Sequence, residues 1–261
     1  MTGSKRKKSK TKLAPASYRQ RTYRKTVRTD GLVSSFVSVR ETDLHILAVE
    51  SVEAQAYDAV YQYRNQLENY LARNPEFLTA LAPLPDDPLA PPIVRAMLEA
   101  ARAALVGPMA AVAGAMAEYV GRDLLAAGIE EVMIENGGDI YLKRHKECLV
   151  SIFAGQSPLS QRVGMQVPAA QMPIGICTSS GAVGHSLSLG KADSVTVLSP
   201  STPLADGVAT RLGNEVGAKG DINRALQVAQ SIPDISGVVI ILDNQLGAWG
   251  AVDLVEIPGE P

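Results

Sequence analysis

The stretch VMIENGGDIYL, residues 132–142, decides the fold. Two apolar runs, VMI and IYL, flank the polar segment Asn136-Gly137-Gly138-Asp139, which has the composition of a tight turn. Apolar runs of strand length on either side of paired glycines predict an antiparallel hairpin with strands over about 130–135 and 139–143.

The sequence after this hairpin contains further strand-like and helix-like segments. Strands are predicted over about 148–154, 174–178, 193–198, 237–242 and 251–257, and helices over about 203–213 and 221–230. Runs of strands interrupted by paired helices favour helices packed on antiparallel sheets, whereas a doubly wound parallel sheet requires strict alternation. The predicted fold class is therefore α+β.

The sequence before the hairpin predicts three strands followed by three helices. The strands cover about 19–29, 32–40 and 43–49, with turns at Asp30-Gly31 and around 41–43. A first helix, capped by Ser51, continues to about Arg73 on an apolar stripe of Val52, Ala56, Val60, Tyr63, Leu67 and Leu71. Two further helices are predicted over about 92–105 and 109–127. The small residues of the last helix favour tight packing of that helix on a sheet over close approach of a ligand.

Charge is distributed unevenly along the 261 residues. Residues 1–28 contain eleven Lys/Arg and no Asp/Glu, while the rest contains 14 Lys/Arg against 27 Asp/Glu. We expect residues 1–17 to be a disordered basic tail. Residues 18–261 are expected to form a single α+β domain, with a possible internal boundary at the five prolines of 83–92. An acidic body is a poor nucleic-acid surface, so only the tail could bind nucleic acid.

Several classes of protein are disfavoured. Cys148 and Cys177 lack a CxxC partner, so we expect two buried, reduced thiols instead of a zinc site or a disulfide. The uncharged run Ala103–Ala117 is shorter than the ~20 residues that cross a bilayer, so no membrane span is expected. The basic start is not followed by an apolar signal region, which predicts a cytoplasmic protein.

Two glycine- and hydroxyl-rich segments are candidate anion sites. In 136–139 the glycines leave backbone amides open to an anion or a flat ring, and Asp139 can accept from a ribose or ring nitrogen. In Thr178-Ser179-Ser180-Gly181, at a strand end, hydroxyls and amides can bind phosphate oxygens. Either segment could instead be a plain turn.

His185 follows the hydroxyl cluster closely enough to be a general base or a phosphate donor. The alternative is a structural histidine, which is how we interpret His45 and His145. A serine hydrolase using Ser179 or Ser180 with His185 is disfavoured because the segment lacks the GxSxG pattern of a nucleophile elbow.

A candidate metal site begins the helix at 203–213. Asp206 and Thr210 are four residues apart and share a helix face, so a carboxylate and a hydroxyl there could hold Mg²⁺. Asp206 could instead compensate the helix dipole while Thr210 is simply buried. Backbone carbonyls of 107–114 could add oxygen ligands.

The order of these segments resembles the ApbE family of FAD:protein FMN transferases over roughly residues 105–215. Gly137-Gly138-Asp139-Ile140 is similar to the GGD segment of that family, and Thr178-Ser179-Ser180-Gly181 is similar to its TSG segment. Ala205-Asp206-Gly207-Val208-Ala209-Thr210 is similar to its ADALAT metal segment.

The resemblance implies tandem T-fold-like units and a flavin site, with FAD as a possible cofactor and Mg²⁺ held by Asp206 and Thr210. It also implies transfer of FMN from FAD to a protein threonine, with release of AMP. The family's His-x-Ile-Asp-Pro segment is replaced here by the shorter 185–190, which lacks Asp-Pro. The alternative is therefore a non-catalytic flavin or small-molecule binding protein of the same fold.

Overall fold

The computed structural model describes Arg24 and residues 29–180 and 190–258. Its centre is an eight-stranded antiparallel sheet in the order β1-β2-β3-β4-β7-β8-β9-β10, and a three-stranded sheet has the order β11-β6-β5. The strands are β1 Val33–Val39, β2 Thr42–Ala48, β3 Val132–Asn136, β4 Asp139–Lys143, β5 Cys148–Ser151, β6 Val163–Val167, β7 Ile174–Ser179, β8 Ser194–Ser199, β9 Gly237–Leu242, β10 Gln245–Gly250 and β11 Asp253–Glu256.

Six α-helices accompany these strands in the described part of the chain. They are α1 Glu53–Arg73, α2 Glu76–Thr79, α3 Pro92–Ala104, α4 Val112–Ala126, α5 Thr202–Glu215 and α6 Ile222–Gln230. Helix α3 begins at the last proline of 83–92, where a proline costs no hydrogen bond because the first helical N–H has no intrahelical partner. A 3₁₀ turn at Pro108–Ala111 leads into α4.

Different elements pack on the two faces of the large sheet. One face packs on the helices, in a core that includes Leu44, Ile134, Val197, Val120 and Val208. The other face packs on the small sheet through Ile176, Leu198, Val239, Met165 and Val167. The architecture is therefore helices, antiparallel sheet and small sheet in three layers.

The hairpin predicted from VMIENGGDIYL is confirmed. Asn136 is the direct partner of Asp139 across strands β3 and β4. Gly137 and Gly138 have φ of 71° and 108°, values that favour glycine and suit the tight reversal between twisted strands. The α+β class, with helices packed on antiparallel sheets, is confirmed as well.

Some elements differ from the sequence predictions. Helix α1 has Val52 at its N-cap and no side-chain cap, so the prediction of Ser51 as the cap is wrong. Strands β6 and β10 and helix α2 were not predicted. Cys148 is half-buried, whereas Cys177 is fully buried as expected. The tail 1–17 lies outside the described residues, as does the predicted strand 19–29 apart from Arg24 and residue 29, neither of which is in a strand.

No single helix in the described part of the chain is long and apolar enough to cross a membrane. Helix α3 and the segment made of α4 and its preceding 3₁₀ turn are long and apolar enough only when they are taken together. The two are bent by 106° relative to each other.

Candidate functional site

The Gly137-Gly138 turn, the end of β7 and the start of helices α4 and α5 come together at one end of the large sheet. Asp139 pairs with Cys177 across β4 and β7, so their side chains are on the same face. That face is the helix-covered one, since Cys177 belongs to the core beneath the helices. The pairing register thus directs Asp139 towards α5.

Asp206 lies one turn into α5 and points at the start of α4. Its Oδ2 accepts the backbone N–H of Gly114 at 2.9 Å. A Cβ added to Gly114 would lie 2.6 Å from the Thr202 carbonyl oxygen and 2.9 Å from the Asp206 Cβ. Glycine at this position therefore lets the α4 backbone approach helix α5 closely enough to bind the carboxylate. This is a helix-to-helix contact, which the prediction of tight helix-to-sheet packing does not include.

The carboxylates of Asp139 and Asp206 interact electrostatically inside the fold. Burial, and then the charge of Asp139, raise the pKa of Asp206 well above its usual value, while amides of 113 and 114 oppose that shift. The Cys177 thiol interacts with both carboxylates: burial, followed by the charges of Asp139 and Asp206, raises the pKa of the thiol well above its ordinary value. Two carboxylates in a dry environment favour a bound cation or a shared proton.

Hydroxyl groups line the neighbouring strands and the next helical turn. Thr178 Oγ1 lies 2.9 Å from Thr196 Oγ1, which is 3.3 Å from Ser194 Oγ. Thr210 is 9% exposed and follows Asp206 by four residues on α5, so both side chains are on one helix face. Thr178 and Thr196 come directly after Cys177 and before Val197 on their strands, so their hydroxyls lie on the opposite face of the sheet from the carboxylates. The Thr210 hydroxyl is the one of these groups that shares the helix-covered side with Asp139 and Asp206.

This donor set fits a hard cation such as Mg²⁺. Among the described residues, no group of three or more His, Cys, Asp or Glu side chains is arranged to hold a metal. Mg²⁺ in proteins is often bound by one or two carboxylates together with waters and substrate phosphates. Asp206, Asp139 and the Thr210 hydroxyl could supply that partial shell, which a phosphate ligand and water would complete.

The structure brings together most of the residues predicted for the site. Asn136 reaches α4, because its Nδ2 donates to the Ala113 carbonyl at 3.1 Å. A Cβ added to Gly138 would lie 3.6 Å from the Thr178 carbonyl oxygen, so the glycine turn is next to the end of β7. Ser179 ends β7, and Ser180 follows it directly. Gly181 and His185 lie outside the described residues, so their predicted roles remain predictions.

Two residues of the site were missed by the sequence interpretation. The sequence predicts Cys177 only as a buried thiol, whereas the strand pairing places it beside Asp139. The contribution of Gly114 was sought in its carbonyl, whereas its N–H is the group that binds Asp206. The available signal was its position at the start of a helix, where the first N–H groups have no intrahelical partner.

The other two histidines have the structural and surface roles expected. His45 is buried and its Nε2 lies 2.8 Å from Ser34 Oγ. His145 is exposed beside Glu130. An open groove of about 660 Å³ lies elsewhere, beside Arg95, Tyr119 and Ser201, and does not include the carboxylate pair.

Comparison with known proteins gives one family. The family model described as AbpE bacteria matches residues 24–245. A UPF0280 protein of Methanococcus aeolicus is 37% identical over 226 residues, which cover 85% of this chain and 91% of the relative. A UPF0280 protein of Methanococcus maripaludis strain C7 is 42% identical over 222 residues, which cover 83% of this chain and 90% of the relative.

A solved structure has the same fold. The apo form of the flavinyl transferase ApbE of Pseudomonas stutzeri matches with a TM-score of 0.58 and 14% sequence identity. The match covers 84% of this chain and 94% of that chain. Because the identity is so low, this likeness shows the fold alone.

Proposed function

Because the chain belongs to the AbpE bacteria family, we propose that it is a Mg²⁺-dependent flavin-nucleotide-binding protein that transfers FMN from FAD to a protein threonine. The observation that carries the proposal is the pair of buried carboxylates, Asp139 and Asp206, beside the glycine turn. Asp206 binds the Gly114 N–H at the start of α4, and the Thr210 hydroxyl follows one helical turn later on α5. Likeness to a flavinyl transferase fold supports the choice of FAD as the ligand.

Each part of the site has a separate role in this proposal. Asp206 and Thr210 hold the Mg²⁺, which when bound neutralises phosphate charge. The amide of Gly137 and the side chains of Asn136 and Asp139 bind the nucleotide, and Gly138, whose own N–H donates to Glu135, contacts it through a backbone without a Cβ. The hydroxyls of Ser179 and Ser180, with Gly181, bind the pyrophosphate, and Thr178 contributes from the other face at the end of the same strand.

The transfer itself is a phosphoryl substitution. The acceptor threonine oxygen forms a bond to the FMN phosphorus, and the bond from that phosphorus to the bridging oxygen breaks, so AMP leaves with that oxygen. His185 is proposed to take the threonine proton. Amides and hydroxyls aimed at the pyrophosphate stabilise the charge that develops on its oxygens.

The first test is calorimetric titration of FAD with and without Mg²⁺. We expect Asp206→Asn to lower the Mg²⁺-dependent affinity at least about tenfold, because the amide is neutral and a poorer cation ligand. Thr210→Val should act in the same direction but more weakly. Asp58→Asn, at an exposed position of α1, is the matched control and should bind as the unmodified protein does. Unchanged Mg²⁺-linked binding in both site variants would mean that the pair is structural.

The same variant should also be more stable. Asp206→Asn removes a buried charge that Asp139 repels, and its side-chain oxygen can still accept the Gly114 N–H. We expect the melting temperature without metal to rise by roughly 2–4 °C, which corresponds to about 1 kcal/mol for a chain of this size. A fall of that size would mean that the Asp206 carboxylate stabilises the empty site.

The second test separates the transferase from a non-catalytic binding protein of the same fold. With FAD, Mg²⁺ and a threonine-containing protein acceptor, the transferase should release AMP, and His185→Ala should slow the release by roughly 10²–10⁴. Tight FAD binding without AMP from any acceptor would favour the binding protein. The shortened segment 185–190 is the feature that supports this second candidate.

A further inference from the structure

Arg24 is joined to the glycine turn through one buried carboxylate. Its Nε lies 2.5 Å from Glu135 Oε2, while Nη1 and Nη2 bind the Asp43 side chain at 3.0 Å and the Asp43 carbonyl at 2.9 Å. The side chains of Arg24 and Glu135 are 10% and 6% exposed. A guanidinium fixed on two strands in this way holds the Glu135 carboxylate in one orientation.

The second oxygen of Glu135 binds the turn itself. Glu135 Oε1 accepts the Gly138 N–H at 2.9 Å. The Arg24 guanidinium therefore binds the Glu135 carboxylate, which in turn binds the N–H of Gly138, the residue before Asp139. Because glycine has wide conformational freedom, this bond restricts the two residues of the turn beyond the restriction that the Asn136–Asp139 strand pairing imposes.

The turn is held from both faces of the sheet. On the helix face, Asn136 donates to the Ala113 carbonyl at the start of α4. Glu135 immediately precedes Asn136 on β3, so its side chain leaves from the opposite face of the sheet. The Asn136 contact alone would fix one side of the turn, and the Arg24–Glu135 pair fixes the other.

We propose that Arg24 is a positioning residue: through Glu135 it holds the Gly137-Gly138 turn, and with it Asp139, in the geometry that binds the flavin nucleotide. The consequence for binding rests on the proposed function. The restriction of the turn does not, because it follows from contacts within the protein. Without the guanidinium, the buried Glu135 carboxylate loses this ion pair and turns more readily towards water.

The test measures amide hydrogen exchange at Gly138 by NMR in the full chain. In Arg24→Gln we expect this amide to exchange about tenfold faster relative to the core amide of Ile240. Arg40→Gln is the control, because Arg40 forms an exposed ion pair with Glu68 and should leave Gly138 unchanged. Unchanged exchange at Gly138 in Arg24→Gln would overturn the proposal.

A double-mutant cycle tests whether Arg24 acts through Glu135. In a Glu135→Leu background, Arg24→Gln should add no further acceleration at Gly138, because the connecting carboxylate is absent. Glu135→Ala serves in the same way if the leucine variant does not fold. An equally large effect of Arg24→Gln in that background would show a route other than Glu135 and would overturn the proposal.

FAD titration with Mg²⁺ then measures the consequence. Arg24→Gln should weaken binding about tenfold, and Arg40→Gln should not. A loosened turn with unchanged FAD affinity would overturn the positioning role. If the unmodified protein takes up no FAD, the proposed function fails by that result, and the exchange cycle alone decides whether Arg24 holds the turn.

Discussion

His45 is a buried imidazole among charged neighbours. Its ring stacks on Phe36 with centroids 4.6 Å apart, and its Nδ1 has no hydrogen-bond partner among the described residues. Burial lowers the pKa of His45, and the positive charge of Arg24 lowers it further, while Glu135 and Asp43 oppose the shift. The neutral ring is therefore the form that the folded protein favours.

This lowered pKa predicts a loss of stability in mild acid. Below pH ~6.5 the unfolded chain takes up a proton at His45 before the folded chain does, so the free energy of unfolding falls as pH falls towards the folded pKa. We expect His45→Gln to lose less stability than the unmodified protein between pH 7.5 and 5. Urea unfolding at several pH values measures the difference.

The comparison must be made between the two proteins at each pH. Burial raises the pKa of Asp206, so this group acts in the opposite direction and makes the fold less stable as pH rises above ~3.9. That contribution is present in both proteins and cancels in their difference. Parallel pH profiles would contradict the assignment of His45 as a buried neutral ring.

At the scale of elements, α5 is held in place by α4. The carboxylate of Glu118, 3% exposed, accepts the Thr202 N–H at 2.7 Å, and Gly114 lies one turn earlier on α4 against Asp206. The side chain of Ser201 accepts the Leu204 N–H at 3.4 Å. These contacts satisfy first-turn amides of α5 and fix the depth of Asp206 in the fold.

Gly114→Ala should disturb this helix pair. The added Cβ would meet backbone atoms of Thr202, which cannot move as easily as a side chain can. We expect a loss of about 1–3 kcal/mol, the usual cost of overpacking, and a weaker Mg²⁺-linked FAD affinity. Gly220→Ala, where no atom lies within 4 Å of the added Cβ, is the control and should melt as the unmodified protein does. Equal melting temperatures for both variants would mean that the helices separate without cost.

The sequence predicts elements well where apolar patterning is strong. Helix α1 and the β3–β4 hairpin follow their apolar stripes and turn residues closely. Strand β10, QLGAWG, contains two glycines and no β-branched residue, so its pairing with β9 depends on the neighbouring strand more than on its own propensity. The short β6, VGMQV, is paired with β5 and β11 in the same way.

The candidate site is less predictable because its contacts join distant parts of the chain. The motifs locate Asp139 and Asp206, but their interaction depends on the register of β4 with β7 and on the depth of α5. The bond from Gly114 to Asp206 spans 92 residues, and that from Arg24 to Glu135 spans 111. No local pattern carries information about such distances.

At the scale of the whole molecule, the N-terminal region divides between a predicted tail and Arg24, which is anchored on the large sheet. Residues 1–17 hold six Lys/Arg and no apolar stripe, so we predict that they contribute little to folding. Arg24 instead makes two ion pairs, one of them with the nearly buried Glu135. The two parts should therefore differ in their effect on stability.

Truncation at two positions tests this division. A chain that starts at Tyr18 should melt within about 2 °C of the full chain, whereas one that starts at Thr29 should lose several degrees because Glu135 is left without its guanidinium. The full-length Arg24→Gln variant is the control, because it removes the guanidinium and keeps the rest of residues 18–28. It should reproduce a large part of the fall in melting temperature seen in the chain that starts at Thr29. A marked fall already in the first truncation would show that the basic tail packs on the acidic body. Equal melting of all four proteins would mean that the Arg24–Glu135 pair contributes no net stability.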